Sequence, residues 1–94
     1  MLYQTKHFAL FCTENNCQRI PLLIYIKQHE QTYRINYFQV WKFTRHYQTS
    51  TFDVEVTDGV ESVKERLITR LPDVPFNELK VWCVDNVIMF PEDY

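Results

Sequence analysis

The chain has 94 residues, 46% of them hydrophobic and 16% aromatic, with a formal net charge of −2. That length fits one domain around one core, and the composition excludes a disordered chain. No apolar run approaches the 18 or so residues of a membrane span, and a sequence pI ≈ 5.9 argues against a dedicated nucleic-acid binder.

The charge is unevenly spread. Residues 1–52 carry six Lys/Arg against two Glu, and residues 53–94 carry four Lys/Arg against ten Asp/Glu. A basic half and an acidic half can complement each other within one chain or between two copies. The stretch Met1 to His7 lacks a signal-peptide core, so the expected location is intracellular, cytoplasmic or nuclear. One glycine, Gly59, and four prolines do not suit a loop-rich scaffold.

In chain order, Phe8 to Phe11 reads as a first strand. Glu14-Asn15-Asn16 reads as a turn, because asparagine tolerates left-handed backbone angles. Arg19 to Lys27 reads as a second strand, with Pro21 at its start or on an edge because it donates no ladder bond. Tyr33 to Arg45 alternates, with Gln39, Trp41 and Phe43 on one phase and Phe38, Val40 and Lys42 on the other. Its aromatic and β-branched content favours a third strand. His46 to Ser50 closes a meander of three or four antiparallel strands.

The second half carries the organising pattern. Phe52, Val54 and Val56 alternate with Asp53 and Glu55, a half-buried strand. Asp58 suits a helix N-cap with Glu61 three residues on, and Val60, Val63, Leu67 and Leu71 fall at helical spacing. This predicts a single helix over about 59–71, stopped by Pro72. Leu79, Val81 and Cys83 alternate with Lys80, Trp82 and Val84, a strand that Asp85-Asn86 turns into a short return strand, Val87 to Phe90. The expected class is α+β: one domain over 1–94, a mostly antiparallel sheet with that helix across one face. Residues 1–36 form a strand-rich extension and 37–94 the core.

Over roughly residues 38–90 this order resembles the ubiquitin-like β-grasp family. The resemblance rests on Thr51 to Val56, Val60 to Ile68, the Val74-Pro75 connector, Leu79 to Trp82, and Val87-Ile88. It implies that the face carrying Trp82 is a partner-binding face. The loop before the helix is shorter than the family's, and the family's last strand has no counterpart. An N-terminal strand or a second copy would supply it, or the chain is a different α+β sheet protein with one helix. No C-terminal Gly-Gly is present, so the resemblance implies an adaptor and not a conjugated modifier.

Trp82 leads the candidate site residues, since its phase points away from the core with Lys80 and Val84, and tryptophan buries much area with few rotors to freeze. The bland alternative is that the N-terminal segment covers it. Arg34, Lys42 and Arg45, set among Tyr37, Trp41, Phe43 and Tyr47, would suit a single-strand nucleic-acid platform, although alternation splits them over two faces. Asp85, Glu92 and Asp93 oppose that basic run, a pattern that resembles the head-to-tail interaction domains of the β-grasp class, where a basic strand face meets an acidic turn. A solvated terminus is the alternative, and separately a homodimer through an edge strand is left open. His7, His29 and His46 lie too far apart for a zinc site. Cys12 and Cys17 flank a turn and are read as ordinary thiols, with a disulfide the alternative in an oxidising compartment, and Cys83 as a buried small hydrophobe. No nucleophile pair or phosphate loop stands out, so no enzyme, cofactor or metal is expected. The function expected is a non-catalytic protein–protein interaction module that binds another protein through its sheet. A nucleic-acid-binding sheet over 34–47 and a small self-associating viral or host-modulating adaptor are the alternatives.

Overall fold

The computed structural model describes residues 2–30, 38–59 and 63–94, without the side chains of Val63 and Lys64. The chain runs β1 (Tyr3–Gln4), α1 (Lys6–Glu14), α2 (Arg19–Gln28), β2 (Phe38–Arg45), β3 (Thr51–Thr57), β4 (Val63–Arg70), β5 (Glu78–Val84) and β6 (Val87–Met89), and ends in a 3₁₀ turn at Pro91–Asp93. The strands form one six-stranded sheet in the order β1-β6-β5-β2-β3-β4. Among the described residues only the β1–β6 pair is parallel, so the class is α+β with a mostly antiparallel sheet.

The helices are where sequence and structure part. Residues 8–11 and 19–27, expected as strands, lie in α1 and α2. In α1 the Thr5 hydroxyl caps the first turn by accepting from the Phe8 N–H at 3.2 Å, and Phe8 and Cys12, four apart, fall on the buried stripe. In α2 Ile20 and Ile24 do the same, and Pro21 sits in the first turn, where its missing N–H is not needed. Asn16, with φ 59, takes the left-handed angle of the turn between them.

The single helix expected over about 59–71 is corrected as well. Residues 63–70 form edge strand β4, paired with β3 from Thr57↔Val63 to Thr51↔Arg70. Val60, Glu61 and Ser62 lie outside the described residues. A strand gains here because Leu67 lies beside Val54 on the covered face, while Arg66, Ile68 and Arg70 stay in water. The helix implied by the ubiquitin-like resemblance is therefore not found over the described part of its stretch.

The inward phases of β3 and β5 follow the expected alternation, and in β2 it is the Gln39, Trp41 and Phe43 phase that faces inward. Trp41, Phe43, Phe52, Val56 and Val81 are fully buried against Phe8, Ile20 and Ile24, and burying each such side chain stabilises by about 1.5–3 kcal/mol. Both helices lie on this face. Phe8 and Phe11 pack edge-on to Phe90 at 5.3 and 5.0 Å, which seats α1 beside β6. Lys27 of α2 reaches Glu65 of β4 at 3.0 Å. The other face of the sheet carries no helix among the described residues.

Candidate interaction surface on the open sheet face

Strand alternation delivers a defined set of side chains to the uncovered face. Across its middle, Lys80, Lys42, Glu55 and Arg66 stand in register on β5, β2, β3 and β4. Glu55 accepts from Arg66 Nε at 3.3 Å. Lys42 and Lys80 are direct cross-strand neighbours, both exposed, and neither has a carboxylate within 4.0 Å among the described residues. Like charges directly opposite on a sheet are mutually unfavourable. Beside them an open groove of about 480 Å³ is lined by Lys42, Thr44, Asp53, Glu55, Arg66 and Ile68.

One row toward the β5–β6 turn the face becomes apolar. Trp82 points out, as its phase predicts, and is half-buried. Among the described residues its cover is Phe38, at 4.9 Å between ring centroids, and Tyr94, at 5.8 Å. Val84, expected to meet a partner beside Trp82, lies one row further on, opposite Phe38, and at 4% exposed is too buried to do so.

The C-terminal turn that delivers Tyr94 is anchored by Asp93. Its carboxylate accepts from the Thr5 hydroxyl at 3.2 Å and the Phe90 N–H at 3.1 Å, and lies 2.8 Å from His7 Nδ1. The hydrogen bond to His7 holds Asp93 below the usual carboxylate range, and the same bond raises His7.

The remaining sequence candidates divide. Arg45 is engaged by its own chain. It donates to the carbonyls of Thr49, Val74 and Phe76 at 2.6, 2.9 and 2.8 Å and to Asn77 Oδ1 at 2.9 Å, above the Phe52 ring. Its role is to pin the 74–77 connector. Asp85 lies in the exposed β5–β6 turn with φ 48, off the charged row. Arg34 lies outside the described residues. Arg66 and Glu55 complete the row but were not singled out, because a helix reading of 60–71 places Arg66 away from the sheet; a two-residue alternation over 64–70 was the signal that could have found it.

The three cysteines are free and buried. The Cys12 and Cys17 thiols share a hydrogen bond, which together with burial pushes Cys12 up, and burial pushes Cys83 to about 11. Among the described residues no three His, Cys, Asp or Glu converge to hold a metal, and no helix is long and apolar enough to cross a membrane.

Residues 5–94 match the model of a family described as a family of unknown function (DUF6876). No curated protein and no solved structure matches the chain.

Proposed function

Since the chain belongs to that family of unknown function, we propose its role from geometry: a non-catalytic module that docks an acidic protein segment on the open sheet face. The observation that carries this reading is the Lys42–Lys80 pair, two exposed cations held side by side without a carboxylate partner among the described residues. An incoming carboxylate between them would relieve their repulsion, and Trp82, one row away, offers apolar area to the same partner. Arg66 lies across Glu55 from Lys42 and is paired with that carboxylate, so the two lysines are the cations open to a partner, and the groove beside Lys42 gives the flanking part of an extended segment a place to lie.

Nucleic acid is the weaker reading. Arg45, one of the cations expected to face phosphate, is held by four acceptors of its own chain.

The test is chemical-shift mapping on the labelled chain. Peptides with Asp or Glu at alternate positions are titrated in parallel with a single-stranded oligonucleotide. Saturable shifts at Lys42, Lys80 and the Trp82 indole with the peptides, lost in a Lys42→Glu/Lys80→Glu variant of unchanged circular dichroism, are expected. Shifts on this face from the oligonucleotide alone would replace the proposal.

A further inference from the structure

Three successive rows of the open sheet face differ in chemistry. The registers of β2 with β3 and β5 place Trp82 beside Val40, Lys80 beside Lys42, and Glu78 beside Thr44, with Asp53 on the far side of Thr44. Along each strand these residues lie two apart, so they share one face and the rows follow each other at about 6.7 Å. The first row is apolar and the second holds two cations. The third holds two carboxylates with a short threonine between them. Glu78 and Asp53 are exposed, and neither lies within 4.0 Å of a lysine or arginine nitrogen among the described residues. Asp53 has His46 Nδ1 at 3.3 Å.

The surroundings of the two lysines set the direction of a bound segment. Across the strands from Lys42 the next side chain is Glu55, a carboxylate already paired with Arg66, which repels a further acid. Along the strands a segment passes from Trp82 over the lysines into the groove that Lys42, Thr44 and Asp53 line. An extended chain repeats its side chains on one side at the same spacing of about 6.7 Å, so its residues i, i+2 and i+4 fall on the three rows in turn.

We propose that the segment docked here is an extended peptide with an aromatic or large apolar residue, an acid and a cation at alternate positions. The apolar side chain packs on Trp82. The carboxylate lies between Lys42 and Lys80, and the lysine or arginine enters over Thr44 between Glu78 and Asp53. The rows fix this order and serve a chain running in either direction. The inference rests on the docking reading above and narrows it to a single central acid. A run of acids, or a uniform polyanion such as nucleic acid, matches the lysine row and is opposed by the Glu78 and Asp53 row.

Titration of the labelled full chain with Phe-Thr-Glu-Thr-Lys and with Lys-Thr-Glu-Thr-Phe, each flanked by serines, tests it. One of the two should shift the signals of Lys42, Lys80, the Trp82 indole and Glu78. It should bind about two- to fivefold more tightly than the same peptide with Glu in place of its Lys, the range of one exposed ion pair. Glu78→Lys, at an exposed position and with circular dichroism unchanged, should abolish that preference. All-acid peptides that bind as tightly as the patterned ones would overturn the pattern and leave the docking reading standing. So would a preference that Glu78→Lys leaves unchanged. No shift at Lys42 and Lys80 with any of the peptides would overturn both.

Discussion

The side-chain amides of Gln28 and Gln39 exchange two hydrogen bonds, Gln28 Nε2 to Gln39 Oε1 at 2.9 Å and Gln39 Nε2 to Gln28 Oε1 at 2.8 Å. This closed pair ties the last residue of α2 to β2. Gln39 is 2% exposed, and its Oε1 also accepts from the Trp41 indole at 3.0 Å. Replacing Gln39 with Leu removes an acceptor shared by two donors. Loss of a buried partner costs about 1–3 kcal/mol. Gln39→Leu should therefore destabilise by about that amount in urea unfolding. Gln28→Leu/Gln39→Leu should lose less than the sum of the single changes, because the two residues share one contact.

Arg45 should tolerate neither truncation nor lysine. Its planar fork reaches three carbonyls and one side-chain amide in fixed directions, which a lysine ammonium cannot reproduce. Arg45→Lys should lower stability by about 1–3 kcal/mol. Hydrogen exchange should show the 71–77 connector opening first. Exchange there equal to that of the unchanged chain would mean that the connector holds without Arg45.

The His7–Asp93 contact gives stability a pH dependence of known sign. His7 is raised, chiefly by its hydrogen bond to Asp93, so its contribution is complete below its ordinary 6.5 and disappears as pH rises through the raised value. Asp93 is lowered by the same bond, so its contribution is complete above its ordinary 3.8 and disappears as pH falls through the lowered value. The stability difference between the unchanged chain and His7→Gln should thus be largest between pH 3.8 and 6.5 and shrink on both sides. A difference that keeps growing above pH 8 would contradict this assignment.

Gly59 is required twice over. Its φ is +87, where side chains are disfavoured, and a Cβ there would lie 2.8 Å from the Phe38 ring. Gly59→Ala should destabilise by about 1–3 kcal/mol, and it should also move Phe38, which packs on Trp82. A shift in the Trp82 fluorescence maximum, alongside the lower unfolding midpoint, is the check.

The strands with a strict two-residue alternation were legible in the sequence. Phe52, Val54 and Val56, and Leu79, Val81 and Cys83, were read with one buried face, and Asp85-Asn86 takes the left-handed angles that its residue types favour. The helices were not legible. Phe-Ala-Leu-Phe and Leu-Leu-Ile-Tyr-Ile are apolar on every phase, and periodicity cannot separate a buried strand from a helix there. The four-residue spacing of Phe8 with Cys12 and of Ile20 with Ile24 decides it only once the sheet that they cover is known. Residues 58–71 carried two patterns. Asp58-Gly59 suits a hairpin connection as well as a helix start, and pairing with β3 made the difference. The outward phase of Lys42, Lys80 and Trp82 could be read, but the register that sets the two lysines side by side could not, because it joins strands distant in sequence. Arg45 was misjudged for a similar reason, since three of its four acceptors lie about thirty residues away.

That register has a consequence for how the chain finds its fold. β2 meets β3 through local pairs, from Arg45↔Phe52 to Val40↔Thr57, and β3 meets β4 across a single connection. Its other edge waits for β5, whose pairs run from Thr44↔Glu78 to Phe38↔Val84, far apart in sequence. Short loops close at a lower entropic penalty than long ones, so the β2–β3–β4 meander is the natural nucleus and β5 with β6 joins it later. Val54→Ala should then slow refolding, whereas Val81→Ala should chiefly hasten unfolding. If both slowed refolding alike, the rate-limiting step would already include the long closure that brings Lys80 beside Lys42.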